Sequence, residues 1–498
     1  MDFKFVLLWT DAALWVLFVA LIGYGVRVAR APHLRTTWEK VLRDPAALCS
    51  ALVLLVFLGI TALDSVHFRR ALPASAGQAA GKVFHDPRAE SLLDIALSRQ
   101  IAMRESTYSA PLAYLAHIKQ TFTRNGEPVR DYPRLEHGGA HLMDPARDWH
   151  GDVTSRAIGG AVGGLVFALL ASLGIAWLLR RAHGGTLAAW RDLAADRTHL
   201  PLRALLLTLA VISVLAGAAG ALMGHYHVFG TDRTGNDVLV QALKSVRTAF
   251  VIGTLSTLAT LPIAVTLGIL AGYFRGWVDE VVQYLYTTLS SVPSVLLIAA
   301  CVLMVQVGLD KHPEWFETSA ERSDLKVFML CAILGLTGWA TLCRLVRAET
   351  LKLRELDFVQ AATAFGVGDA RIMGRHILPN VVHLVLITTV LNFSDLILYE
   401  AVLTYVGVGV DPSTNSFGGM INLARSEMSN DPVVWWSFVA AFGFMVALVL
   451  AANLFADGVR DAFDPRSRAL RPRLALRRKS TDVQPEAPVT AVQDGKPA

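Results

Sequence analysis

Nine stretches of the chain stay apolar for close to the length that crosses a bilayer, and polar segments of very unequal length separate them. A membrane-spanning helix needs about 20 mostly apolar residues. The stretches are 5–26, 46–63, 157–179, 202–223, 248–271, 284–307, 327–343, 381–403 and 434–456. The seventh is the shortest and carries Gly335 and Gly338. In lipid a backbone amide must find its partner within the protein, so each stretch is read as a helix. The pattern predicts an all-α, polytopic membrane protein with about nine transmembrane helices. The first stretch is too long for the apolar part of a signal peptide and lacks a small-x-small cleavage site, so it reads as a retained anchor.

Charge gives these helices a direction. Basic residues gather in alternate loops: Arg27, Arg30, Arg35, Lys40 and Arg43 after the first stretch, and Arg180, Arg181, Arg191 and Arg197 after the third. Arg344, Arg347, Lys352 and Arg354 follow the seventh, and an arginine-rich run from Arg460 follows the ninth. Lys and Arg in short loops mark the cytoplasmic side, which sets the N-terminus outside and the C-terminus in the cytoplasm. Of 498 residues, 53% are apolar and 17% charged, and mean hydropathy is +0.45. The net charge of +5 thus reads as orientation and contact with membrane lipid, with no nucleic acid partner. Cys49, Cys301, Cys331 and Cys343 lie in or beside apolar runs, which excludes a disulfide scaffold. The histidines show no metal-ligand spacing such as H-E-x-x-H, and no metal site is expected.

Three sizeable segments then lie outside: 64–156, 224–247 and 404–433. The first is an insert with helices expected near 89–104 and 111–122, turning loop-rich beyond. Residues 470–498 read as a disordered cytoplasmic tail. Gly159/Gly163 and Gly160/Gly164 form overlapping small-x-x-x-small pairs that permit close helix packing.

The cytoplasmic loop at 344–380 carries the most information. Good helix formers run to Phe365, and Gly366 stands where a left-handed residue ends a helix. Asp357 and Asp369 are expected to cap two short helices, with Pro379 ending the second and suiting the first turn of the eighth apolar stretch. Ala361 and Ala362 present a small face, and Arg371 and Arg375 lie toward the end of the loop. Ordered helices of this kind in a membrane loop read as a docking element.

These residues carry a resemblance. Gln360-Ala-Ala-x-x-x-Gly366, followed by Ile377-Leu378-Pro379, resembles the coupling loop of ABC importer permeases, and the subfamily resembles the second permease of dipeptide and oligopeptide importers. Phe229-Gly-Thr-Asp-Arg-Thr-Gly-Asn-Asp-Val238, Gly272-Tyr-Phe-Arg-Gly-Trp-Val-Asp279 and Gly458-Val-Arg-Asp-Ala-Phe-Asp-Pro465 resemble other parts of the family in the same order. Gln360 stands where the motif usually has Glu, and His376 where it usually has Ile. The resemblance implies a six-helix permease core at 202–469, preceded by an extension at 1–201 with three more helices.

It further implies a transport subunit and not an enzyme. No G-x-x-x-x-G-K-[ST] phosphate loop occurs, so ATP and Mg belong to partner ATPase subunits. The implied partners are a homologous sister permease, cytoplasmic ABC ATPase subunits and an external solute-binding protein, in a bacterial inner membrane. ATPase coupling falls to Asp357, Gln360, Ala361, Ala362, Gly366, Asp369, Arg371, Arg375, Ile377, Leu378 and Pro379. Gly230, Thr231, Asp232, Gly235, Asn236 and Asp237 are expected at the external gate and the binding-protein contact. Asp395 and Glu400 are intramembrane carboxylates, hence candidates for the solute path, whereas Asp11 reads as interfacial. Two rivals remain. A proton-coupled secondary transporter would use Asp395 and Glu400 as a relay, and a membrane sensor or assembly protein would use the insert.

Overall fold

The computed structural model describes residues 3–71, 86, 89–124, 127–183, 185–196, 198–316 and 318–463; the expected tail at 470–498 lies outside them. A short strand β1 (Phe3–Val6) leads into α1 (Trp9–Arg30). An amphipathic helix α2 (Pro32–Arg43) then turns the chain into α3 (Pro45–Asp64). The insert holds β2 (His67–Arg70), β3 (Glu90–Ser91), α4 (Leu92–Ala96), α5 (Ser98–Ala102) and the hairpin β4 (Gln120–Arg124) and β5 (Glu127–Asp131). Next come α6 (Pro145–His183), α7 (Thr186–Ala194) and α8 (Leu202–Leu222). Then follow α9 (Val238–Phe274), α10 (Gly276–Ser291), α11 (Ser294–Asp310) and α12 (Ser319–Arg354). The last group is α13 (Asp357–Ala364), α14 (Asp369–Ile372), α15 (Leu378–Tyr405), α16 (Phe417–Glu427) and α17 (Trp436–Phe463).

Eight of these helices are long and apolar enough to cross a membrane, and α10 and α11 make a ninth segment bent by 89°. The sixth expected helix is therefore broken. Pro293 forces Val292 into an extended conformation (φ −92°, ψ 135°), as a residue before proline prefers. The broken pair still crosses. Asp279 at its start pairs with Arg347, and Asp310 at its end pairs with Arg322. On α12 those partners are 25 residues apart, about 38 Å along the axis. The seventh stretch is longer than its apolar segment, because polar helix formers extend α12 to 36 residues.

Helices α9 and α12 are the central pair. Small residues let them touch closely: a Cβ on Gly335 would overlap Ala259, and one on Gly272 would press on Thr350. The extension packs on this pair and on its neighbours. Leu14 of α1 joins Ile252, Leu330 and Leu334 in one apolar cluster, and Phe57 of α3 joins Val246, Trp436 and Leu448 in another. The Gly160/Gly164 pair packs on core helix α8, where a Cβ on either residue would overlap the backbone of Gly217 or Ser213. Residues 3–463 thus pack without a break at 201, so the boundary there is one of resemblance only.

Two expectations change. Asp11 is not interfacial in the sense of being solvated: it is 0% exposed. Its Oδ1 accepts from Arg247 Nη2 at 2.5 Å, and its Oδ2 meets His67 Nδ1 at 2.7 Å. Arg247 also faces Asp324 at 3.7 Å, and the Thr10 amide donates to Asp324 at 3.0 Å. One cation therefore joins α1, α9 and α12. The insert is also less helical than expected. Residues 92–102 form two short helices, but 111–119 run as turns and Gln120 opens a strand. Alternating Thr121, Phe122 and Thr123 suit a pleated strand better than a helix.

The insert is clamped to the core by a second buried charge group. His227 donates through Nδ1 to Asp237 at 2.8 Å, and its Nε2 faces Glu105 Oε1 at 3.5 Å. Glu105 also accepts backbone N–H bonds from Glu136, His137 and Gly138, each at 2.9 Å. Burial opposes charge on both groups. The bond to Asp237 and the nearness of Glu105 outweigh it and raise His227 to about 9. The contact with His227 and the three amides outweigh it for Glu105, which falls to about 2.

Two tests follow from these clusters. Arg247→Leu leaves two buried carboxylates without their cation, at a cost of about 3–5 kcal/mol. The unfolding midpoint in detergent should drop and the insert should become protease-sensitive; a variant as stable as wild type would remove Arg247 from this role. For His227 the folded pKa lies above the free value, so its stabilisation is complete below about 6.5 and fades as pH rises through about 9. Amide exchange at 105–117 should accelerate between pH 7 and 10 beyond its intrinsic rise. His227→Gln should abolish that excess, and identical profiles for the two proteins would refute the clamp.

Candidate functional site

The loop from 355 to 380 is built on three buried anchors. Val359, Ile372 and Ile377 are at most 1% exposed and join the cluster that contains Ala264, Leu342 and Val381. Above them α13 ends as expected. Gly366 is left-handed (φ +75°). Its N–H donates to Thr363 O at 3.0 Å, and that of Val367 donates to Ala362 O at 3.1 Å, the paired bonds of a Schellman motif.

The aspartates do not cap as expected. Leu356 and Gly368 hold the cap positions, and neither makes a side-chain cap bond. Asp357 instead occupies the first turn of α13, where a carboxylate meets the positive end of the helix dipole. Asp369 accepts from the Tyr273 hydroxyl at 2.7 Å. Arg354 Nη1 donates to Tyr273 O. Tyr273, at the end of α9, thereby joins the loop to α12. Pro379 does not end the second helix either. The chain stays helical from Asp369 into α15 through a π turn at Met373–Ile377, and Pro379 lies in the first turn of α15. A wider turn accommodates a residue that has no N–H to give.

Of the expected coupling residues, Asp357, Gln360, Ala361, Gly366, Asp369, Arg371, Arg375, Leu378 and Pro379 are exposed. Ala362 is half-buried, and Ile377 is an anchor that no partner can reach. The face is not smooth. Phe365 is 87% exposed, and Phe358 and Leu356 flank the same short helix. A single exposed apolar residue means little, but three of them grouped on one short ordered element make the kind of apolar patch that marks an interaction site. The sequence held this signal, a phenylalanine just before the terminating glycine.

At the other end, the segment 229–238 is sealed beneath the insert. Thr231 is 0% exposed; its hydroxyl accepts from the Ser109 amide at 2.7 Å, and its carbonyl accepts from Trp436 Nε1 at 3.0 Å. A Cβ on Gly235 would overlap the Glu105 carbonyl, and one on Gly230 would overlap that of Ser109. Asp237 caps α9 by accepting from the amides of Leu239 and Val240. Gly230, Thr231, Gly235 and Asp237 are therefore structural and cannot touch a binding protein. Arg233, Thr234 and Asn236 remain exposed, and Asp232 holds their turn by accepting from Thr234 and Asn236. Nothing in 202–238 alone announces this cover, because the covering residues lie over a hundred positions upstream.

The two intramembrane carboxylates part company. Asp395 is exposed on the side of α15. Glu400, five residues on and about 140° round the helix, is 1% exposed, accepts from Thr404 Oγ1 at 2.9 Å and packs against Gly418 of α16. Glu400 leaves the solute-path group, and the two form no relay.

A sequence profile for the inner membrane component of binding-protein-dependent transport systems matches residues 264–469. The chain is 33% identical over 248 residues to an oligopeptide transport system permease protein, OppC, of Mycobacterium tuberculosis, covering 50% of this chain and 79% of that protein. It is 33% identical over 242 residues to the glutathione transport system permease protein GsiD of Pectobacterium atrosepticum, covering 48% and 73%. It is 30% identical over 251 residues to OppC of Haemophilus influenzae, covering 50% and 74%. With this likeness and its membrane helices, the chain belongs to the multi-pass inner-membrane permeases of binding-protein-dependent ABC transport systems.

Proposed function

We propose that this chain is one of two homologous membrane subunits of an ATP-driven importer of peptides or peptide-like solutes. The observation that carries the reading is the exposed Phe365 knob on a helix–glycine–helix element tied through Tyr273 to the two longest core helices. Cytoplasmic ATPase subunits receive the knob, and their closure on ATP and Mg moves the element as one piece. The motion passes through Asp369, Tyr273 and Arg354 to α9 and α12, rods of 37 and 36 residues. An external solute-binding protein delivers the solute at the opposite end. Two of the relatives are named for oligopeptide transport and one for glutathione, a small peptide, which supports this solute class.

The exposure of Asp395 supports a covered face on α15. A carboxylate facing lipid costs roughly 2.5–3.5 kcal/mol at mid-helix. The face of α15 that carries it is therefore covered by the sister permease or by the water-filled path between the two subunits. The sequence division at 201 keeps its meaning as a lineage difference: 1–201 supplies support and an external cover, and 202–469 supplies the transport core. The basic loops set the insert outside and the C-terminus in the cytoplasm.

Phe365→Ser should weaken association with the ATPase subunits at least tenfold in detergent pull-down, with the permease pair intact. Gly366→Val, which meets no neighbour within 4 Å, carries only the roughly 1–2 kcal/mol left-handed penalty. It should lower solute-stimulated ATP hydrolysis without preventing assembly. Normal association and normal stimulation in both variants would sink the docking assignment. Single cysteines at 120–131 should react with an impermeant maleimide in whole cells, and cysteines at 357–371 should be protected. The reverse pattern would invert the topology.

A further inference from the structure

At the insert end, where α15 finishes, α16 runs and α9 begins, lies a cavity of about 550 Å³ closed on one side by Tyr108 of the insert. That volume falls within the range of small-ligand sites, about 300–1,000 Å³. Its polar lining has an unusual make-up. Asn236, Gln241, Gln306, Asn415 and Asn422 all border it, from the turn before α9, from α9, from α11, from the loop after α15 and from α16, and the first two already donate to Asp232 while keeping their oxygens. The side chains of Asn415 and Asn422 have no hydrogen-bond partner among the described residues. Gln306 donates to Gly409 O at 3.1 Å and keeps its own oxygen open.

The cavity carries fixed charges of both signs, Lys326 and Arg233 against Asp232, Asp411 and Glu427. Lys326 pairs with Asp411 at 3.1 Å and with Asp310 at 3.2 Å. Asp232 accepts from Gln241 at 2.6 Å as well as from its own turn. Burial raises the pKa of Glu427, against hydrogen bonds from Ser437 and Tyr108 that lower it. Selection by net charge is weak in such a site. A carboxamide, by contrast, offers a donor and an acceptor side by side, the complement of a peptide bond.

We propose that this cavity is a station for the transported solute, binding a short peptide through its backbone amides with little regard to its side chains. The proposal rests on the importer reading and adds the place and the chemistry of recognition. Main-chain readout suits a permease that passes peptides of varied sequence.

The test uses the complete importer in proteoliposomes with a trialanine analogue carrying a diazirine in its middle side chain. Photolysis during turnover should place adducts on cavity residues such as Tyr108 and Met420. Unlabelled trialanine should suppress them at a concentration at least tenfold below that of the depsipeptide with one amide replaced by an ester. Asn422→Leu should reduce labelling about tenfold, and Asn422→Gln should recover most of it. Adducts confined to other residues, or equal competition by the ester analogue, would overturn the proposal. Trialanine uptake, measured in the same vesicles, reports the importer reading by itself: uptake with mislocated adducts rejects the cavity alone, whereas an assembled complex without uptake rejects both.

Discussion

A guanidinium largely removed from water needs anionic partners, and Arg247 finds them on two other helices through its Nη2, although its Nε has no hydrogen-bond partner among the described residues. Asp11 and Thr10 come from α1, and Asp324 comes from α12. Charge neutralisation thus fixes the height and the rotation of α1 against the central pair. The same centre reaches the insert through His67, which bonds the far oxygen of Asp11. Once α1 and β2 are held, the chain between β2 and α6 has a fixed start, and Glu105 can meet His227 and the sealed segment below it. The cover over 229–238 is therefore a consequence of where one cation sits.

The central pair gives this arrangement mechanical meaning. The close approach of α9 and α12 runs from Gly335 near the middle of α12 to Thr350 near its end. Beyond it, Arg354 and Tyr273 receive the 355–380 element. A displacement of that element acts on packed small residues with no loose side chains between them. Close-packed interiors transmit strain in this way. The carboxamide-lined cavity lies at the far end of the same pair, bordered by Gln241 of α9 and Lys326 of α12.

Much of the membrane architecture was legible in the sequence, because hydropathy reports the solvent directly. Eight of nine stretches are single helices, and the ninth is bent at Pro293, a residue whose effect a hydropathy window averages away. Gly366 was legible because only a left-handed terminator needs a glycine there. The caps were misread for a different reason: Asp357 and Asp369 are good cap residues, but tertiary contacts gave Asp369 a better partner in Tyr273. The hairpin β4–β5 had its own signal, since Asn125-Gly126 stands between the paired Arg124 and Glu127, and Asn-Gly favours two-residue turns. The burial of Thr231, Asp237 and Glu400 was not legible at all. It depends on which distant segment lies on top, and no local pattern encodes that.

The Asp11–Arg247 pair also bears on how the protein is made. The two residues are 236 positions apart, and synthesis at about 5–20 residues per second separates them by roughly 10–50 s. During that interval α1 has left the ribosome with a carboxylate whose final partner does not yet exist. Asp11 stands in the first turn of α1, near the end of that helix. His67, only 56 positions behind, arrives first and can hold it there. Arg247 is made next, and Asp324 last. For this cluster the order of synthesis alternates the signs, so that Arg247 and then Asp324 are each made after a group of opposite charge.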